Sequence, residues 1–160
     1  MGKCSNLDVR FIDSSEWDAA MELVFRTFLE FDAAMYSREG VEHFRRFISD
    51  QNLKRMFEAG GFQVIGAFDG TRIAGVIALR NTNHISLLFV DSDYQKRGIG
   101  SELVFALSEY VTSKLHGSDL TVHSSLYATD FYHHLGFVDL GDRIEEDGII
   151  YTPMRLELRF

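Results

Sequence analysis

The chain has 160 residues, 46% of them hydrophobic and 25% charged, with a formal net charge of −8. This predicts one globular domain over residues 1–160, large enough for its own core, and argues against a general nucleic-acid binder, which would carry a basic face. No apolar run approaches the ~20 residues of a membrane span, so no membrane partner is expected.

At the N-terminus, Met1-Gly2 opens a myristoylation pattern that Asn6 breaks, and no signal-peptide core follows. The lone Cys4 leaves no intramolecular disulfide and no cysteine metal cluster. A cytoplasmic protein is expected. Val9 to Ile12 reads as a first strand. Ser14 or Ser15 can cap a helix carrying Trp17, Met21, Val24, Phe25, Phe28 and Phe31 on one face. A second helix is predicted from Ser37 to Glu58, with Val41, Phe44, Phe47, Ile48 and Leu53 inward and Gly60-Gly61 ending it. Strands Phe62–Phe68 and Arg72–Leu79 flank Asp69-Gly70, a strong hairpin signal. Asn81-Thr82-Asn83 then turns into a strand from Ile85 to Val90.

After that strand stands Asp91-Ser92-Asp93-Tyr94-Gln95-Lys96-Arg97-Gly98-Ile99-Gly100-Ser101, and Leu103, Leu107, Tyr110, Val111 and Leu115 follow at helical spacing. The run therefore joins a strand end to a helix start. A helix N-terminus offers unpaired N–H groups and the positive end of a macrodipole, which suits phosphate. Gly98 and Gly100 allow close backbone approach, and Lys96 and Arg97 add charge. The run fits neither the Walker pattern nor the dinucleotide pattern G-x-G-x-x-G, because position 103 is Leu.

Gly117 is the predicted stop of the long helix. Leu120–His123 reads as the next strand, Ala128–Leu135 as a short helix closed by Gly136, and Phe137–Leu140 as extended. An acidic loop, Asp142–Gly148, precedes a last strand from Ile149 to Leu158, in which Pro153 implies an edge position or a bulge. The order β-α-α-β-β-β-α-β-α-β-β implies an α/β (α+β) domain around one mixed, mostly antiparallel sheet.

Gln95-x-x-Gly98-x-Gly100 resembles the acetyl-CoA-binding motif of the GNAT superfamily of N-acyltransferases. Ala128-x-x-Phe131-Tyr132-x-x-x-Gly136-Phe137 is similar to that family's closing motif, and Ile150-Tyr151-Thr152-Pro153-Met154 resembles the ending of some bacterial-type members. The two main motifs stand in the family's order and the resemblance spans essentially the whole chain. It implies a GNAT-like twisted sheet flanked by helices, in which the strand before the glycine run splays from its parallel neighbour. It further implies acetyl-CoA as acyl donor, with the diphosphate on Gln95, Lys96, Arg97, Gly98, Ile99 and Gly100 and with Ser101 alongside. Backbone groups of Leu88, Phe89 and Val90 would meet the pantetheine arm and the thioester oxygen.

The same resemblance makes Tyr132 the general acid, and a phenol near pKa 10 can protonate a forming thiolate near 8.5. Phe131 is assigned to the core. His123 stands where many relatives carry Asn: it is either a general base or a hydrogen-bonding spacer. His84 lies further from the expected centre, and His133 and His134 read as surface or packing residues. The histidines show no metal-ligand spacing, so no metal is expected. The acceptor implied is a small-molecule amine taken by direct attack. The alternatives are a protein N-terminus or lysine, or a non-catalytic acyl-CoA-binding module. The acidic balance is compatible with a cationic acceptor, although it also serves solubility. The phenylalanine-rich stretch from Phe25 to Phe57, with Glu30, Asp32, Tyr36 and Glu42 interspersed, reads mainly as core and alternatively as an apolar pocket with an acidic rim. Edge strands near Pro153 leave room for a homodimer.

Overall fold

The computed structural model describes residues 7–158; the Met1-Gly2 pattern and Cys4 lie outside them. Strand β1 (Asp8–Phe11) ends one residue before the predicted boundary, although Ile12 still donates its N–H to the Val64 carbonyl at 3.1 Å. Neither Ser14 nor Ser15 caps the first helix: Asp13 caps a 3₁₀ turn that leads into it. Ser14–Glu16 form a 3₁₀ turn, and the Glu16 carboxylate takes the Asp13 N–H at 2.8 Å, as in a capping box. Helix α1 (Trp17–Thr27) buries Trp17, Ala20, Met21, Leu23 and Val24. The chain then widens into a π turn over Phe28–Asp32 and tightens into a 3₁₀ turn over Ala33–Met35.

The single helix predicted from Ser37 to Glu58 is two. Ser37 caps α2 (Arg38–Ser49) by accepting the Gly40 N–H at 3.0 Å. Asp50 leaves the helical region with ψ 126° and caps α3 (Gln51–Glu58), its carboxylate taking the Asn52 N–H at 2.9 Å. A short acidic side chain competes for backbone N–H groups, which favours a cap over a helix interior. Amphipathic spacing alone did not reveal that break.

The sheet contains β2 (Gln63–Asp69), β3 (Arg72–Arg80), β4 (His84–Val90), β5 (Asp119–Ser124), β6 (Val138–Asp139), β7 (Ile144–Glu146) and β8 (Ile149–Glu157). Between them lie α4 (Ile99–Ser113) and α5 (Thr129–His134). Strands run in the order β1-β2-β3-β4-β5-β8-β6, with β7 also on β8, and every pair is antiparallel except β4 with β5. This is the mixed, helix-flanked architecture expected. In the β2–β3 hairpin Asp69 pairs with Arg72, so Gly70-Thr71 form the turn and Gly70 takes φ 63°.

Each face of the sheet carries a core. Ile99, Leu103, Leu107 and Val111 of α4, with Tyr132 of α5, cover Ile77, Leu79, Ile85, Leu120 and Val122. On the opposite face Trp17, Leu23 and Val24 of α1, Ile48 of α2 and Leu53 of α3 cover Val64, Val76, Ala78 and Leu87. Burial of this order, roughly 25 cal/mol per Å² of apolar surface, is what holds both layers to the sheet.

The predicted splay is present. Strands β4 and β5 pair only through His84–Thr121 and Ile85–Val122. At the same level Ala78 faces Leu87 while Leu79 faces Ile85, so Ser86 is the extra residue of a bulge. A bulge bends its strand and increases local twist, which turns β4 away from β5.

Two expectations near the C-terminus change. Residues 144–146 of the predicted acidic loop form β7, joined to β8 by Asp147 and Gly148 at φ 55° and 79°, as in a type I′ turn. Glutamates at 145 and 146 masked a hairpin that the Asp-Gly pair encodes. Pro153 is not on an edge strand or a bulge, because β5 flanks β8 on one side and β7 and β6 share the other. The Pro153 carbonyl takes the Leu140 N–H at 2.8 Å, on the β6 side. In an antiparallel strand a residue's N and O point the same way. The missing N–H of Pro153 therefore faces the gap between Tyr151, paired with β7, and Met154, paired with β6.

The β7–β8 turn reaches across the sheet to α2. Ser37 donates its N–H to the Gly148 carbonyl at 3.1 Å. A Cβ on Gly40 would strike the same carbonyl. Gly40→Ala should therefore lower stability by about 1–3 kcal/mol, read from the urea midpoint. An unchanged midpoint would show that the hairpin does not rest on α2.

Candidate active site

A cavity of about 560 Å³ runs through the notch between β4 and β5. At one end lies the turn into α4. Lys96 and Gly98 both adopt left-handed backbone, at φ 62° and 78°, and Gly98 caps the helix. The first turn-closing bond is Glu102 N–H to the Gly98 carbonyl at 3.0 Å. The N–H groups of Ile99, Gly100 and Ser101 are therefore without intrahelical acceptors, as at any helix start. Lys96 is exposed and is, among the described residues, the only lysine or arginine lining the cavity. A Cβ on Gly100 would sit 3.1 Å from the Phe131 ring, so the missing side chain lets α4 close against α5.

This turn is tied down at three points. Asp91 is 1% exposed, and its carboxylate takes the Asp93 N–H at 2.9 Å, Arg26 at 3.2 Å and Arg72 at 3.3 Å. Burial alone would raise its pKa, but these donors hold it below the usual carboxylate value. The Tyr94 hydroxyl donates to Asp69 at 2.5 Å. The Gln95 side-chain amide donates to the Val90 carbonyl at 2.6 Å. Val90 has lost its sheet neighbour at the splay, so the motif glutamine satisfies a carbonyl that would otherwise be bare.

In the notch, Asp91 donates its N–H to the Ala74 carbonyl at 2.8 Å, which fixes the alternation along β4. Phe89 and Leu87 therefore point backbone groups at β3, and Leu88 points its N–H and C=O into the opening. Tyr132 is 4% exposed and lines the cavity, and its hydroxyl meets no hydrogen-bond partner among the described residues. Burial, with a smaller push from the charge of Asp32, raises its pKa and keeps it protonated.

The far end is aromatic and acidic. Phe28 stacks on Phe44 at 4.2 Å and meets Tyr36 edge-on at 4.9 Å. Phe31 stacks on Tyr127 at 5.3 Å. Asp32 closes the π turn here, 8% exposed, with no cation bonded to it among the described residues. Burial pushes its carboxyl up to about 6 and, followed by the Asp32 charge, pushes Tyr36 up to about 12. His123 also lines the cavity, stacked on Tyr151 at 4.2 Å and edge-on to His84 at 4.7 Å. Burial and then Arg80 lower its pKa, so the imidazole is neutral at pH 7. His84, pushed down to about 4 by burial, His123 and Arg80, stays outside the cavity wall with its ring on Thr121 at 2.8 Å.

The structure thus brings Leu88, Phe89, Val90, Gln95, Lys96, Gly98, Ile99, Gly100, Ser101, His123 and Tyr132 to one cavity. Arg97 is not on its wall; the guanidinium sits 5.0 Å over the Tyr94 ring. Phe131, assigned to the core from sequence, forms part of the wall, as do Phe28, Phe31, Tyr36 and Phe44. Phe25, Phe47 and Phe57 pack against the helix-side core as expected. The sequence reading placed Asp32 only among rim residues. Its signal was a lone carboxylate inside an aromatic run, but its burial depends on the π turn.

A carboxyl whose folded pKa exceeds its unfolded one binds more protons when folded, so stability falls as pH rises from about 4 to about 6. The rise of Asp32 from 3.8 to about 6 corresponds to about 3 kcal/mol at most. Asp32→Asn should therefore stabilise the protein at pH 7 and flatten that part of the stability profile, followed by urea unfolding. A less stable variant at pH 7 would mean that the carboxylate has a stabilising partner.

Residues 32–158 match the model of the acetyltransferase (GNAT) domain. A search of curated proteins returned no match. A GCN5-related N-acetyltransferase from Rhodopseudomonas palustris superposes with a TM-score of 0.82 at 22% identity, over 96% of this chain and 97% of that one. The PaiA N-acetyltransferase of Thermoplasma acidophilum, solved with coenzyme A, gives 0.77 at 18% identity, over 96% and 99%. A variant of the spermidine N-acetyltransferase SpeG from Vibrio cholerae gives 0.67 at 15%, over 94% and 93%. The glycine-capped helix start, the notch and the Tyr132 cavity therefore belong to a member of the GNAT acetyltransferase family, a transferase that takes its acetyl group from acetyl-CoA.

Proposed function

We propose that the protein acetylates the amine of a small molecule. The observation that carries this reading is Tyr132, whose hydroxyl, unpartnered among the described residues, lies on a cavity that ends in backbone N–H groups on one side and a buried carboxylate on the other. Bound acetyl-CoA would supply an activated thioester carbonyl. The N–H groups of Ile99, Gly100 and Ser101, with Lys96, suit its diphosphate. The open C=O of Leu88 suits an amide N–H of its pantetheine arm, and the Leu88 N–H suits a developing oxyanion.

Tyr132 holds its proton throughout the neutral range. Its raised pKa makes it a weaker acid than a free phenol, so its first contribution is a hydrogen bond that strengthens as charge develops on sulfur, with the proton following. His123, neutral at pH 7, can accept the proton that the attacking nitrogen loses. The spermidine acceptor named for one structural neighbour supports a small acceptor over a protein lysine or N-terminus.

Tyr132→Phe should lower turnover by about 10²-fold or more while leaving coenzyme A affinity intact, measured by thiol release and by calorimetry. Wild-type turnover would remove the role. If His123 is the base, the acid limb of the pH–rate profile lies below pH 6.5, because its folded pKa is depressed from that value. His123→Asn should flatten this limb, and an unaltered profile would reduce the residue to a spacer.

A further inference from the structure

We infer that Asp32 receives the acceptor's ammonium and that the acceptor is an amine carrying no carboxylate beside it. The inference rests on the acetyl-transfer reading and narrows its substrate class. Asp32 is 8% exposed, borders the cavity, and has no lysine, arginine or histidine bonded to it among the described residues. A buried carboxylate in this state is costly unless something compensates it. No residue among the described ones does so, which leaves the ligand.

The surroundings select the kind of ligand. Phe28, Phe31, Tyr36 and Phe44 line the same end. The negative faces of aromatic rings attract ammonium groups, and a carboxylate among them completes a cation site. Asp32 and Tyr132 line one cavity, so an ammonium held by Asp32 shares it with the proton donor of the reaction. An α-carboxylate on the same molecule would meet like charge. Among the described residues the only lysine or arginine on the cavity wall, Lys96, stands at the opposite end, in the turn before α4. His123, the one histidine among the described residues on the wall, is neutral there and does not offset the repulsion.

The test pairs amines with the amino acids they derive from: 2-phenylethylamine with phenylalanine, tyramine with tyrosine, histamine with histidine, and cadaverine with lysine. Each is titrated by calorimetry into the protein loaded with coenzyme A, and then offered to the enzyme with acetyl-CoA. At least one amine should bind, its amino acid should bind at least ten-fold more weakly, and Asp32→Asn should weaken the amine at least ten-fold with coenzyme A affinity unchanged. Asp32→Ser replaces the Asn variant if that variant fails to bind coenzyme A. An amino acid that binds as well as its amine overturns the inference, as does amine affinity unchanged in the variant or no binding by any of the four amines. Acetylated product in those cases would leave the transferase reading standing. Asp32-dependent amine binding with no product from any pair would overturn acetyl transfer and leave the ammonium site in place.

Discussion

Everything at the site depends on one interruption: strands β4 and β5 stop pairing after Ile85 and Val122. A parallel pair buried in a sheet normally satisfies its backbone along the whole length, and an unpaired carbonyl there costs free energy. The chain meets that cost locally. Ser86 bulges to turn β4 outward, Gln95 covers the Val90 carbonyl, and Leu88 is left with its polar groups facing the gap. The opening is thus a designed deficit of hydrogen bonds in an otherwise complete sheet. It admits a ligand that can restore them.

The two ends of the resulting cavity differ in how they are held. The α4 end is cross-linked by ionic and phenolic contacts: Asp91 between two arginines, Tyr94 on Asp69, and Gln95 on β4. Its polar work is done by backbone groups already fixed in place, which lowers the ordering cost of binding. The aromatic end rests on ring contacts and on one carboxylate whose ionisation the fold opposes. Sites that carry such unfavourable groups trade stability for activity.

Much of the fold was legible in the sequence because it rested on local chemistry. The glycine run between strand and helix, the Asp69-Gly70 hairpin and the register of Ala128 to Phe137 are each encoded within a dozen residues. The splay came only from family resemblance, since the Ser86 bulge leaves no compositional trace. What was missed was non-local or masked. The break at Asp50 hides in a continuous amphipathic pattern, and β7 hides behind two glutamates although Asp147-Gly148 marks its turn. Pro153 implies an edge position or a bulge because proline lacks an N–H, and nothing local reveals that two short strands share one flank of β8 and leave a gap at that residue. The same limit hid the role of the aromatic run. Phe44 and Phe47 are three residues apart on one helix, yet only Phe44 reaches the cavity wall.

The contact between the Gly148 turn and the start of α2 is made by backbone: a carbonyl against an N–H, with two glycines supplying the room. The attachment of this hairpin is therefore independent of the side chains of β7 and β8. Substitutions at Phe31 and Tyr127, which line the cavity, can reshape it without touching that contact, so the lining is free to diverge while the attachment stays. In this fold, selectivity and mechanical integrity are written in different residues, and a change of acceptor need not begin with a loss of structure.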